Sequence, residues 1–196
     1  TRSIGGLIVG HGDDNGLVLP PKLAPKQVVI VPVQTDKGLI DYANQLQDTL
    51  KKAGIRAFVD DRDDERFGFK LNKWEVKGVP LIFKIGEKEM ASSSLTSKRR
   101  DTGEEAQFVV KEMVGETTKL LEVIQNDLLA KSRKTRDENT REASSYEEMK
   151  QILKEHKGFV KVFWNDNSEI EAKIKEETKA VSRCCIATDQ KGVDFF

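Results

Sequence analysis

From Gln27 to Val33 the chain reads QVVIVPV, a near-continuous apolar and β-branched run. A strand with one face in water would alternate apolar and polar residues, and this one does not. It predicts a strand buried on both faces of a parallel sheet. Next, Leu39, Tyr42, Leu46 and Leu50 recur at spacings of three and four, which predicts a helix over 37–53 with Gly54 just past its end. The alternation continues with a strand over 55–60, a short helix over 68–77 stopped by Gly78, and a strand over 79–85. Gly86 and a polar turn lead to a further strand ending near Arg100. A long amphipathic helix is expected over 108–130, its stripe formed by Val109, Met113, Leu120, Leu121, Val123, Ile124 and Leu128. Strands alternating with helices define the expected fold class: α/β, with a mixed sheet and flanking helices.

The segment from Lys131 to Glu142 is almost entirely polar or charged, and a boundary is expected there. Beyond it, Ser145 and Glu148 are spaced as a capping box opening a helix through Tyr146, Met149, Ile152 and Leu153. Gly158 stops that helix, and a strand over 159–164, a helix over 170–177 and a strand over 180–187 complete a second small α/β unit. The expected division is residues 26–135 and 136–196. Residues 1–25 are Gly-rich and end in Leu19-Pro20-Pro21-Lys22-Leu23-Ala24-Pro25, a linker signature. TRSIGGLIVGHGDDNG, with no initiator Met, reads as mid-protein sequence.

With 196 residues, 37% of them hydrophobic and 34% charged, the chain has room for one ordinary domain and a smaller one. No apolar run approaches the roughly 18 residues of a membrane span, and no signal-peptide pattern opens the sequence. Lysines plus arginines equal aspartates plus glutamates, 33 each, so any surface for a polyanion must be local. Such a surface is offered by Lys98-Arg99-Arg100 at the expected strand end. The two cysteines, Cys184 and Cys185, are adjacent and make no disulfide framework, which points to a reducing, cytoplasmic setting. His11 with Asp13 and Asp14 reads as a polar turn between strands, and His156 as a helix-end cation. No Gly-rich phosphate loop follows the first strand, which argues against a doubly wound nucleotide enzyme.

The strongest pattern runs through the centre of the chain. Asp61-Arg62-Asp63 ends the second strand, and Lys70, Asn72, Trp74, Glu75, Lys77, Gly78, Val79 and Pro80 follow at fixed spacing. Ile85-Gly86 and then Arg99-Arg100-Asp101-Thr102-Gly103-Glu104 complete it. This resembles the anticodon-binding domain of class II prolyl-tRNA synthetases of the archaeal and eukaryotic type. Residues 1–25 resemble the end of the catalytic domain of such enzymes, with Arg2 in the place of an ATP-contacting arginine. The terminal unit resembles their C-terminal domain. The resemblance implies a class IIa anticodon-binding domain followed by a small α/β domain. It also implies a parent enzyme that ligates proline to tRNA with ATP and Mg, a catalytic domain in the same chain, and a homodimer. The chain alone, lacking the other catalytic motifs, is expected to be inactive. No cofactor and no membrane are expected.

The implied RNA-contacting set is Arg62, Lys70, Glu75, Lys77, Lys84, Lys98, Arg99, Arg100 and Asp101. In an unstacked loop, bases are read on their Watson–Crick edges while Arg and Lys hold phosphates. Glu75 suits the N1 and N2 donors of guanine, the base at the second and third positions of proline anticodons; beside it, Trp74 could equally be a core residue. The chain departs from the family at Ile82, where an Arg is usual, at Lys84, where an acid is usual, and at Phe67-Gly68-Phe69, where Pro-Gly-Trp is usual. Many relatives hold zinc in the C-terminal domain with four cysteines; WNDNSEI (164–170) has none, so no zinc is expected. The alternative reading is a non-catalytic accessory protein using the same fold for nucleic-acid or protein contacts.

Overall fold

A computed structural model describes residues 2–164 and 167–183, and the chain divides into two compact units, residues 1–129 and 130–196. The first unit opens with α1 (Arg2–His11) and a small hairpin, β1 (Gly12–Asp13) with β2 (Gly16–Leu17). Then come β3 (Val28–Pro32), α2 (Lys37–Lys52), β4 (Ala57–Val59), α3 (Phe67–Val76), β5 (Leu81–Ile85), α4 (Glu87–Ser92), β6 (Ser94–Arg99) and β7 (Glu105–Val109). A 3-10 turn leads into α5 (Met113–Glu138), which passes from the first unit into the second.

The sheet order is β4-β3-β5-β6-β7, with β3 parallel to β4 and β5, and β6 antiparallel to β5 and β7. Every residue of β3 is buried, as its uninterrupted apolar run requires. Val28, Ile30, Leu81, Phe83, Ile85 and Leu95 form one face, packed against Leu39, Ala43, Leu46 and Leu50 of α2 and Met113, Leu121 and Ile124 of α5. The other face carries Val29, Val31 and Ile82 beneath Trp74 and Leu71 of α3. Among the described residues only α3 covers that second face, over β4, β3 and Ile82 of β5. The antiparallel half, β5 to β7, therefore presents polar positions to solvent, an arrangement open to antiparallel but not to parallel sheets.

The strand and helix expectations hold through Ile85, with ends trimmed by a few residues. Asp36 caps α2, its Oδ1 accepting from Leu39 N at 3.0 Å, and Gly54 takes φ +80° beyond its end. Three differences follow. The polar turn after Gly86 contains α4, too short to show a helical period; Glu89 Oε2 accepts from Gly86 N at 3.0 Å and closes its first turn. The long helix begins at Met113, not at 108, because Glu105–Val109 pairs with β6 across a turn at Gly103 (φ +75°). Last, α5 continues through the polar segment to Glu138, and Thr140–Glu142 at the end of that segment forms β8.

In the second unit β8 runs parallel to β9 (Phe159–Lys161), with α6 (Tyr146–Glu155) between them and α7 (Ser168–Thr178) following. Ser145 caps α6 by accepting from Glu148 N at 3.2 Å, while Glu148 accepts from Ser144 N and Oγ, one residue before the box predicts. The expected strand over 180–187 lies partly outside the described residues, and 180–183 are not in a strand. No described helix is long and apolar enough to cross a membrane.

Candidate nucleic-acid interface

The bare face is set by register. Residues directly opposite in antiparallel strands share a face, and the pairs are Ile82 with Lys98, Lys84 with Thr96, Thr96 with Gln107, Lys98 with Glu105, and Ser94 with Val109. One surface thus carries ammonium, hydroxyl, amide and carboxylate groups side by side. Glu75, near the end of α3, adds to it by an ion pair with Lys98, the two side chains being 25% and 29% exposed. The second oxygen of Glu75 has no partner among the described residues, so the carboxylate keeps accepting capacity toward solvent. Lys84 reaches across β6 to Glu105, Nζ to Oε1 at 2.5 Å. Ile82 is 1% exposed and serves the core under α3.

At the other edge of the sheet, where α3 meets the end of β4, lies a buried ionic hub. Asp60, which follows β4, is 1% exposed. Arg62 donates to both its oxygens, Nε at 2.7 Å and Nη2 at 2.5 Å, and Trp74 Nε1 donates at 2.6 Å. Burial alone would raise the Asp60 carboxyl. The hydrogen bonds from Arg62 and Trp74, with the charges of Arg62 and Lys70, outweigh it and hold the group below its ordinary value. The same bonds, accepted by Asp60, push the Arg62 guanidinium above its ordinary value.

Several expected RNA contacts are redirected by the structure. Lys70 is the clearest correction: it is 1% exposed, because it stands one helical turn before buried Trp74 on the inner side of α3. Its ammonium donates to the carbonyl oxygens of Arg62 and Asp60. Arg99, 11% exposed, binds Asp101 (Nη2 to Oδ2, 2.6 Å) and Asp127 (2.7 Å), and Asp101 is itself 6% exposed. Arg100, also 6% exposed, donates from Nε to the Glu75 carbonyl at 2.8 Å and from both terminal nitrogens to Asp13 at 2.9 and 2.6 Å. These groups fasten the β1–β2 hairpin, the end of α3 and the β6–β7 turn together, and three of the five N–H donors of each guanidinium are engaged in doing so. The hairpin fits tightly there: a Cβ on Gly78 (φ +74°) would meet Leu17 O at 2.6 Å. Arg62 is a third exposed but bound to Asp60 and Glu65. Lys77 is exposed at the end of α3, its ammonium 4.6 Å from the Trp74 ring centre. Arg2 opens α1 and is exposed.

Of the expected set, then, the structure brings Glu75, Lys84 and Lys98 to one open surface and leaves Lys77 at its border. Sequence reasoning missed Thr96, which lies on a strand it did expect, and Glu105 and Gln107, which lie on a strand it did not. Among the described residues no group of three or more His, Cys, Asp or Glu is placed to hold a metal. Cys184 and Cys185, the only cysteines, lie outside the described residues, and two thiols do not supply the four ligands of a structural zinc.

A sheet half-covered by one helix, with hydrogen-bonding groups on its open half, offers a surface suited to recognition. Residues 27–120 match the family model described as anticodon binding domain, and residues 146–194 the one described as prolyl-tRNA synthetase, C-terminal. The chain is 43% identical over 185 residues to "Proline--tRNA ligase 2" of Clostridioides difficile, covering 94% of this chain and 38% of that protein. It is 44% identical to "Proline--tRNA ligase" of Chlorobium phaeobacteroides (93% and 38%) and 41% identical to that of Rubrobacter xylanophilus (100% and 42%). The chain comprises the anticodon-binding and C-terminal domains of the proline–tRNA ligase family, and it spans about two fifths of the length of these relatives.

Proposed function

We propose that this chain binds the anticodon stem-loop of a proline tRNA on the open half of its sheet, with residues 26–135 as the binding domain and 136–196 as an appended unit. The observation that carries the reading is the Glu75–Lys98 pair on a solvated face otherwise built of Lys84, Thr96, Glu105 and Gln107. A half-free carboxylate flanked by ammonium groups matches guanine, whose N1 and N2 donate while its O6 accepts. In the full-length enzyme the domain would position tRNA for a catalytic domain of the same chain, which uses ATP and Mg to join proline to it. Arg2 would then stand at the ATP site. That enzyme would be a cytoplasmic homodimer of the archaeal and eukaryotic architecture, a reading supported by the anticodon motif and the appended α/β unit; the relatives named above are bacterial. This chain alone holds no catalytic set and is proposed to need no metal.

The test is base discrimination. Glu75→Gln places a donor where guanine also presents one, so preference for the guanine loop over a guanine-substituted loop should fall by about 1–3 kcal/mol. Unchanged discrimination would remove Glu75 from base reading.

A further inference from the structure

Two lysines share one aromatic pair where α3 packs over β4. The rings of Phe58, on β4, and Trp74, on α3, have centres 5.5 Å apart and are tilted by 56°. Lys26 Nζ lies 3.4 Å from the Phe58 centre and 4.5 Å from that of Trp74; Lys77 Nζ lies 4.6 Å from Trp74. The surrounding cations are neutralised: Arg62, Lys73, Lys84, Lys98, Arg99 and Arg100 each have a carboxylate within 4.0 Å. Neither Lys26 nor Lys77 has one among the described residues.

That contrast matters energetically. Ring faces attract each ammonium by about 0.5–1 kcal/mol, yet they leave its three N–H donors without a strong acceptor. Burial, and then the charge of Lys77, push the Lys26 amine below its ordinary value; Asp60 offsets part of this and Arg62 adds to it. Folding alone would favour an acid at such a place, as it has done at each neighbouring cation. Two ammonium groups backed by fixed rings, with no carboxylate within 4.0 Å among the described residues, are complementary to an anion from outside.

We propose that Lys26 and Lys77, seated on the Phe58–Trp74 pair, form a contact site for a backbone phosphodiester of the bound RNA. The proposal rests on the anticodon-loop reading above, and it moves the phosphate contact from Arg99 and Arg100 to Lys26 and Lys77. Lys77 lies two residues beyond Glu75, just past the last residue of α3, so a nucleic-acid strand that passes this helix end on leaving the open face meets both.

The experiment measures stem-loop affinity of the whole chain across a potassium chloride series, for wild type, Lys26→Gln, Lys77→Gln and the double variant. Each substitution should weaken binding to guanine and guanine-substituted loops by the same factor and flatten the log–log salt slope by about 0.7. Lys26→Arg should restore the slope. Thermal midpoints should change little, because the ring attraction lost is offset by the Lys26–Lys77 repulsion removed. Inorganic phosphate should compete no better than chloride at equal ionic strength; specific competition would make this a free-anion site and overturn the RNA assignment. A double variant that binds the loop with an unchanged slope overturns the site and leaves the anticodon reading standing. A large drop in midpoint would make the cluster structural and overturn it too, and a wild-type chain that does not bind the loop overturns both.

Discussion

Asp60→Asn is the perturbation whose outcome the structure specifies most fully. The amide keeps the shape of the side chain and removes its charge from a site that is 1% exposed. Three consequences add. Arg62 loses a bidentate partner, but at 33% exposure and with Glu65 at 2.9 Å it is screened and re-paired, so its share is about 1 kcal/mol or less. Trp74 Nε1 exchanges a charged acceptor for a neutral one, about 1 kcal/mol. Lys70, buried within the network, is left without a counter-charge, which taken alone costs several kcal/mol and is reduced by its bonds to two carbonyls. The expected total is about 2–4 kcal/mol. Urea unfolding of Trp164→Phe chains, with Trp74 as the sole emitter, should show the midpoint fall on Asp60→Asn with little change in slope. The effect carries a pH signature. The folded pKa of Asp60 lies below the unfolded one, so its contribution is complete above about pH 4 and is lost as pH falls through the folded value. The gap between wild type and Asp60→Asn should be constant near neutrality and close in acid. A loss under about 1 kcal/mol, or a gap that widens in acid, would refute a charged hub at Asp60.

Other outcomes follow from the same geometry. Arg100→Ala removes the link from β6 to Asp13 and to the Glu75 carbonyl; stability should drop by about 1–3 kcal/mol, and hydrogen exchange at Val18, whose amide donates to His11 O, should accelerate. Faster exchange confined to other segments would show that Arg100 does not hold the hairpin. Metal analysis of the purified chain should find no stoichiometric zinc, since the sequence supplies two cysteines and two histidines in separated positions; stoichiometric zinc would contradict the proposed metal-free C-terminal unit. Proline-dependent ATP–pyrophosphate exchange should be undetectable with this chain, and measurable exchange would place a catalytic set where none is proposed.

What could be read in the sequence was what local periodicity or a fixed motif encodes. QVVIVPV announced a doubly buried strand, and Leu39, Tyr42, Leu46 and Leu50 announced the helix that covers it, because burial demanded those residues. The edge strand EAQFV was not legible: four of its five positions are exposed, so no apolar alternation marks it, and Phe108 and Val109 mimic the start of the helical stripe. That one error hid half of the open face, since Glu105 and Gln107 lie on this strand. Charge pairing was equally invisible. Lys98-Arg99-Arg100 looks like a basic triplet, yet Arg99 and Arg100 meet Asp127 and Asp13, far away in sequence, and only Lys98 remains on the open face. Long-range ion pairs leave no local signature. Lys70 fell to the same blindness, since a lysine reads as solvated until a helix turns it inward beside Trp74.

The central claim is that RNA lies on the open half of the sheet. It is tested most directly by titrating the isotopically labelled chain with the proline anticodon stem-loop and following amide shifts residue by residue. The account predicts perturbations centred on Glu75, Lys84, Thr96, Lys98 and Gln107, with little change on α2, whose apolar side is committed to the opposite face of the sheet. Shifts centred on α2 or on the second unit, with the open face unchanged, would contradict it.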